Sequence, residues 1–202
     1  NAQSLRVVTR LEERYAAFGG LNLTWETLEG VVKHNGPLIG PHGQGGVPRA
    51  IAEYATTHDL ELSTFASAEA QVAAISDDIA YNNHDIDDGL RGGLFSIDDL
   101  ADVPLVGPIF AEVRAAYPGL DTSRLIHEAV RRMIGAMVTD LLEETRRRIG
   151  ASRPQVPDDI RRLDQPVAAF SAGMAANDAA LKGFLFKNMY RHYKLNRMTS
   201  KA

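Results

Sequence analysis

Apolar residues recur along this chain at steps of three and four, the spacing that lines one face of an α-helix. Leu5, Val8, Leu11, Tyr15 and Phe18 set the first such face, and Gly19-Gly20 breaks it, so a helix is predicted up to residue 18. Thr24 offers an N-cap for a second helix that Asn35-Gly36 stops. Residues 36–48 hold five glycines and three prolines and read as a long loop. A short helix is predicted from Arg49 to about Thr57. Ser67 is placed to cap a central helix with Glu69 in its first turn, running through Asp88 to Gly89, Gly92 and Gly93. Ser96-Ile97-Asp98-Asp99 has the form of a capping box, with Asp99 where glutamate is usual. Residues 104–117 are predicted as a helix interrupted around Pro108. Asp121 or Thr122 caps the longest helix, which reaches Arg148 and carries Leu125, Ala129, Met133, Met137 and Leu141 at steps of four. A linker follows from Gly150, then a last helix over roughly 174–198. No stretch alternates as a strand does and nothing repeats. The expected class is all-α, with residues 1–150 as the main domain and 151–202 as a linker and C-terminal helix packing on it.

At 202 residues and 45% hydrophobic, the chain suits one domain with a sizeable core. Its net charge of −4 gives no support for bulk nucleic-acid binding, which leaves nucleic acid as an effector only. The absence of cysteine excludes disulfides and thiolate metal sites, so any metal must use oxygen and imidazole. No apolar run has the length of a membrane span and no signal peptide stands out, so a cytoplasmic location without a membrane partner is expected. The chain opens at Asn1 inside a helical pattern and closes on "RMTSKA" without a stop signal. Both ends read as cuts in a longer protein, which predicts a fragment less stable than its parent or prone to self-association.

The stretch "DDIAYNNHDIDDGL", 77–90, changes the picture, because it holds five aspartates and no lysine or arginine. On a helix at 100° per residue, Val72, Ile75, Ile79, Ile86 and Leu90 share a core-facing sector. Asp77, Tyr81, Asp85 and Asp88 share a second, roughly opposite one, with the first three stacked one turn apart. Stacked carboxylates repel, so they call for donors or a cation. Nothing basic stands at helical spacing before Arg91, so the cation comes from elsewhere in the fold or is a metal. A solvated acidic face is the alternative. Against it, Ala70, Ala73, Ala74 and Ala80 make the acidic side small and apolar, which predicts a buried helix whose carboxylates have partners. An EF-hand loop fails here, since Asp88 stands at the obligatory glycine and Leu94 at the terminal glutamate.

Other candidates read more simply. His42 lies in the glycine-rich loop and is expected in solvent, and His58 and His127 read as satisfied surface or core histidines. The loop lacks the GxxxxGK[ST] order and a preceding strand, so it is not a P-loop. Arg146, Arg147 and Arg148 are explained by the dipole at a helix C-terminus. Lys187, Arg191 and Lys194 form a basic stripe, open between a solvated face and a phosphate-facing or subunit-facing wall, with Lys182 off it. Trp25, Met133 and Met137 are expected in the core.

"SDDIAYNNHDIDDGL" resembles the C-terminal half of the HD-domain site in bacterial dGTPase-like deoxynucleoside triphosphate triphosphohydrolases. "NAQSLRVVTRLEERYAAFGGLNLTWETLEGVVKHNGP" is similar to the segment that follows their HD motif, and "FLFKNMYRHYKLNRM" to a later helix. The resemblance covers most of the chain in the right order. It implies a compact multi-helix HD-like fold, here without its N-terminal helices, and hydrolysis of a dNTP to deoxynucleoside and inorganic triphosphate. It implies a divalent metal, Mg²⁺ or Mn²⁺ with iron as the alternative, held by a histidine, an adjacent His-Asp pair and a distant aspartate. Asp77 matches that aspartate. Tyr81 and Asp85 match positions that face the deoxyribose, Asn1 an asparagine near the phosphates, and Lys33 and His34 a pair that meets the triphosphate. Tyr190, Arg191 and His192 resemble a substrate-side segment of a mammalian relative. The family also implies a closed homo-oligomer, a tetramer or hexamer.

The departure is the paired His-Asp motif, absent upstream of Asp77. His84-Asp85 is not that motif, because it lies in the sugar-facing turn. The chain therefore carries one of four metal ligands and is expected to be inactive alone. Two other readings stand beside the triphosphohydrolase: another HD-family nucleotide phosphohydrolase, and a non-catalytic helical nucleotide-binding or assembly module.

Overall fold

The computed structural model describes residues 1–43 and 45–191. Among them there are helices and turns and no strands, as the periodicity predicts. The helices are α1 (Ala2–Arg6), continued by a π turn over Val7–Leu11, α2 (Trp25–Val32), α3 (Arg49–Ala55), α4 (Ala68–Arg91), α5 (Val106–Ala116), α6 (Thr122–Ser152), α7 (Pro157–Arg161) and α8 (Ala172–Leu185), continued by a π turn over Phe186–Tyr190. The chain forms two compact units that interleave along the sequence, where the periodicity suggests one division near residue 150. Unit 1 is Asn1–Ile75 with Arg147–Ala169, and unit 2 is Ser76–Arg146 with Phe170–Ala202.

Unit 1 closes over Leu5, Leu28, Val32, Ile51 and Leu60, with Trp25 and Tyr54 packed at the edge. Its first helix is shorter than predicted. Glu12 N–H bonds the Val7 carbonyl (3.0 Å), and the Val8 carbonyl is taken by Leu21 N–H (2.8 Å). The chain returns at Gly20, whose φ of +73° leaves a Cβ no room against the Thr9 backbone at 2.6 Å. The helical bond to Val8 is thus replaced by a loop bond, and Leu11, Tyr15 and Phe18 are exposed rather than core. Gln71 holds the second chain segment in place. Its Oε1 accepts from the backbone N–H of Val167 (2.8 Å) and Ala168 (3.2 Å), and its Nε2 donates to the Ala66 carbonyl (2.8 Å).

Unit 2 is built on α6. Leu125, Ala129, Met133, Met137 and Leu141 are all buried, as their spacing predicts. They share a core with Ile86, Phe95, Leu100, Val106, Phe110, Val113, Leu181 and Leu185. Asp121 is the cap, its Oδ1 accepting from Arg124 N–H at 3.0 Å. The box at Ser96 is also present: Ser96 N–H donates to Asp99 Oδ2 (2.7 Å) and Asp99 N–H to Ser96 Oγ (3.3 Å). Two expectations fail. Helix α5 runs unbroken, because Pro108 sits in its first turn, where a missing N–H costs nothing. Helix α6 continues to Ser152, so Arg146, Arg147 and Arg148 are not at its end. Arg148 instead donates to the Pro166 carbonyl (3.0 Å), within unit 1.

A candidate active-site face on α4

Helix α4 begins where its cap predicts, with Ser67 Oγ accepting from Ala70 N–H at 3.3 Å, and it persists to Arg91. Ile79 and Ile86 are buried on its inner side, together with Asn82 and Asn83. Val72, placed on that side by the helical period, is 40% exposed. It belongs to the unit 1 part of the helix.

The outer side carries the predicted stripe. Asp77 is exposed, Tyr81 is 63% exposed, and Asp85 is half-buried. The expectation that alanines bury this face is overturned, since Ala73, Ala80 and His84 are exposed beside Asp77 and Tyr81. Small side chains permit close packing without compelling it. The demand for cationic or donor partners is met in part by the fold. Tyr190, on the π turn after α8, donates its hydroxyl to Asp85 Oδ2. That bond, with some burial, pushes the Tyr190 phenol up to about 12. Lys182 reaches Asp78 and Asp178, both at 3.0 Å, and Asn82 Nδ2 donates to Asp178 Oδ1 at 2.7 Å. Burial pulls the Lys182 ammonium down, but these two carboxylates outweigh it and leave it raised. Arg91 closes the series on Asp87 at 2.9 Å and also meets the His127 ring. Asn82 and the Asp78 side of the Lys182 contact carry no local signal, because their partners lie 96 and 104 residues away.

Arg191 is exposed, with its guanidinium 4.5 Å from the Phe186 ring. His192, with Lys194, lies outside the described residues. In unit 1, Asn1 Nδ2 donates to the Val32 carbonyl (3.2 Å), which brings it beside the Lys33-His34 pair. Lys33 is fully buried, and its ammonium donates to Glu29 Oε1 (3.0 Å), Thr64 Oγ1 (2.7 Å) and the Phe65 carbonyl (3.4 Å). Arg161 grips the same Glu29 through two bonds, Nε to Oε1 (2.9 Å) and Nη2 to Oε2 (3.1 Å). Burial lowers the Lys33 ammonium by more than Glu29 raises it. The pair the sequence offers thus divides: Lys33 is inside a buried ion network, while His34 lines a cavity of about 650 Å³ with Gly30, Val31, Ala73 and Arg161. Glu29 was missed. Its signal is an acid among the apolar positions Leu28 and Val32, four residues before Lys33.

A metal does not fit these residues by themselves. Among the described residues no three carboxylates or imidazoles gather closely enough to hold one, and a single carboxylate is too few oxygen ligands for a divalent ion.

A model of the phosphohydrolase-associated domain matches residues 168–202, the segment that includes α8 and Tyr190. A deoxyguanosinetriphosphate triphosphohydrolase-like protein of Parvibaculum lavamentivorans is 62% identical over all of this chain and 51% of its own length. Proteins with the same description from Caulobacter vibrioides and Azorhizobium caulinodans are 58% and 57% identical, over all of this chain and 51% and 52% of theirs. Over its full length the chain is similar to these dGTPase-like proteins. It spans about half the length of the curated relatives it matches. The acidic stripe, the tyrosine clamped on Asp85 and the buried Glu29 network all lie inside the shared region. Among the described residues no helix is long and apolar enough to cross a membrane.

Proposed function

We propose that this chain supplies one wall of a site that hydrolyses a deoxynucleoside triphosphate to a deoxynucleoside and inorganic triphosphate. One observation carries the reading: identity of 53–62% over the whole chain to proteins named for that reaction. The exposed stripe of α4 supports it. Asp85 is set to accept a hydrogen bond from a 3′-hydroxyl, and the exposed ring of Tyr81, one turn earlier, to pack on the sugar. Tyr190 holds Asp85 through its hydroxyl, and Arg191 follows it in the chain. Asn1 and His34 are assigned to the triphosphate end by the resemblance, and Lys33 supports that segment from the interior. Asp77 would contribute one carboxylate to a divalent cation, Mg²⁺, Mn²⁺ or iron, whose other ligands are not gathered among the described residues. Water adds to the α-phosphorus, the bond to the 5′-oxygen breaks, and that oxygen takes up a proton as the deoxynucleoside leaves. A cytoplasmic homo-oligomer, tetramer or hexamer, goes with this reading.

Product analysis tests it. The full-length protein with Mn²⁺ is expected to release inorganic triphosphate and deoxynucleoside from at least one dNTP. Asp77→Ala should lower that turnover by at least about a hundredfold, the scale on which support of a metal site is lost. Pyrophosphate or monophosphate products would move the protein to another class of HD phosphohydrolase. No turnover with any dNTP would favour a nucleotide-binding or assembly role.

A further inference from the structure

Three arginines meet where α1 and its π turn pack on α3, in unit 1. Arg6, Arg10 and Arg49 line one cavity of about 310 Å³ together with Thr9, Glu53 and Tyr54. The chain as a whole is acidic, at −4, so a local excess of guanidinium runs against its composition. One carboxylate stands among the three cations. Arg49 Nε donates to Glu53 Oε1 at 2.7 Å. That hydrogen bond and the Arg49 charge hold Glu53 below its ordinary range, and the charges of Arg10 and Arg6 add to the pull. Glu53 balances one arginine and leaves an excess of two positive charges around a cavity that is partly walled by an aromatic ring.

Arg6 and Arg10 are one turn apart, an arrangement that costs a helix through like-charge repulsion. The backbone between them is a π turn over Val7–Leu11 rather than a regular α-turn. Such turns occur frequently at functional sites, where they re-aim side chains. A phosphate group answers this geometry better than a second carboxylate. It carries more charge and offers three oxygens, and the planar guanidinium matches it through paired hydrogen bonds.

We propose that Arg6, Arg10 and Arg49 form a phosphate-binding pocket, suited to a compact polyanion or the terminal phosphate of a small ester. None of the residues assigned to substrate lines this cavity, so the proposal does not depend on the hydrolase reading.

The probe is inorganic pyrophosphate, titrated into the full-length protein by calorimetry at constant ionic strength. A binding event is expected that Arg6→Gln with Arg10→Gln weakens at least about tenfold, the loss of a charge-assisted contact. Arg6→Lys with Arg10→Lys should keep the charge, lose the fork and fall in between. This second pair also guards against misfolding of the first. Asp77→Ala should leave this event unchanged, which separates it from binding at the α4 face. Competition by methyl phosphate would name phosphate monoesters as the class, and its failure would assign the pocket to inorganic polyanions. Absence of pyrophosphate binding, or binding indifferent to Arg6 and Arg10, would overturn the proposal.

Discussion

Asp85 and Tyr190 make the most telling pair at the scale of single residues. The aspartate comes from an acidic run and the tyrosine from a helix more than a hundred positions later, and they meet through one hydroxyl. The neutral phenol is the donor, so the contact favours it over the phenolate and pushes Tyr190 up to about 12 from the ordinary 10.0. Because the folded value is the higher one, the stability this bond adds is fully present below pH 10 and is lost as pH rises through about 12. An ultraviolet titration, differenced against Tyr190→Phe, should show one late-ionising tyrosine. Asp85→Asn should move that ionisation down towards 10. A tyrosine at 190 that ionises at its ordinary value in the parent would remove the clamp from the picture. Glu29, Lys33 and Arg161 teach the complementary lesson. Lys33 was legible as a basic residue, but its surroundings were not, because Arg161 lies 132 positions from Glu29. A buried pair broken on one side costs about 3–5 kcal/mol, so loss of activity in a Lys33 variant would not by itself assign it to phosphate.

Two helical glycines, Gly107 and Gly135, stand in opposite surroundings. Gly107 is the second residue of α5, and a Cβ there would meet the Ala101 carbonyl oxygen at 2.0 Å. Backbone cannot swing aside as a side chain can, so Gly107→Ala should cost roughly 1–3 kcal/mol through overpacking. Gly135 sits in the exposed middle of α6 with nothing within 4 Å. The same substitution there should stabilise by about 0.5–1 kcal/mol. Denaturant melts of the two variants, shifting in opposite directions, check both. Helix starts were legible because their causes are local. Ser67, Ser96 with Asp99, and Asp121 each bond a backbone N–H three residues on. The ends were less so. The first helix stops at Leu11 because Leu21, ten residues later, takes a carbonyl of its final turn, and no pattern within residues 1–18 contains that fact. Pro108 misled for a related reason: its effect depends on where the helix begins, and that is set by Leu105, at a φ of +69°. The acidic stripe is one helix face, as its period predicts, but Asp77 and Tyr81 on it are exposed, since periodicity says which residues share a side but not what covers it.

At the scale of the whole molecule, the chain passes between its two units three times, near residues 75, 146 and 169. The C-terminal segment is therefore no appendage. Residues 147–169 complete unit 1 through Arg161 and the backbone at Val167, while α8 completes unit 2. Leu181 and Leu185 are buried to 0% and 1% exposure in that second core. Ser171 is tied to α6 by Asp140, which accepts from its N–H at 2.9 Å and its hydroxyl at 2.6 Å. Each buried leucine is worth about 1.5–3 kcal/mol, against a total stability of only about 5–15 kcal/mol for an ordinary domain. Truncating the full-length protein after Ala169 should thus unfold one unit selectively. Hydrogen exchange is expected to show lost protection in α5 and over residues 122–146 of α6. The amides of α2 and α3, whose core of Leu5, Leu28, Val32, Ile51 and Leu60 remains whole, should keep theirs. Uniform loss across both units would mean that they fold as one cooperative body. Unchanged protection in α5 would mean that α8 is dispensable and the associated segment acts only at the Asp85 face. The selective outcome would give Tyr190 a physical basis for its place. The segment that completes the second core is the same one that brings a hydroxyl to Asp85, so the fold of that unit and the geometry of the proposed sugar wall would be lost together.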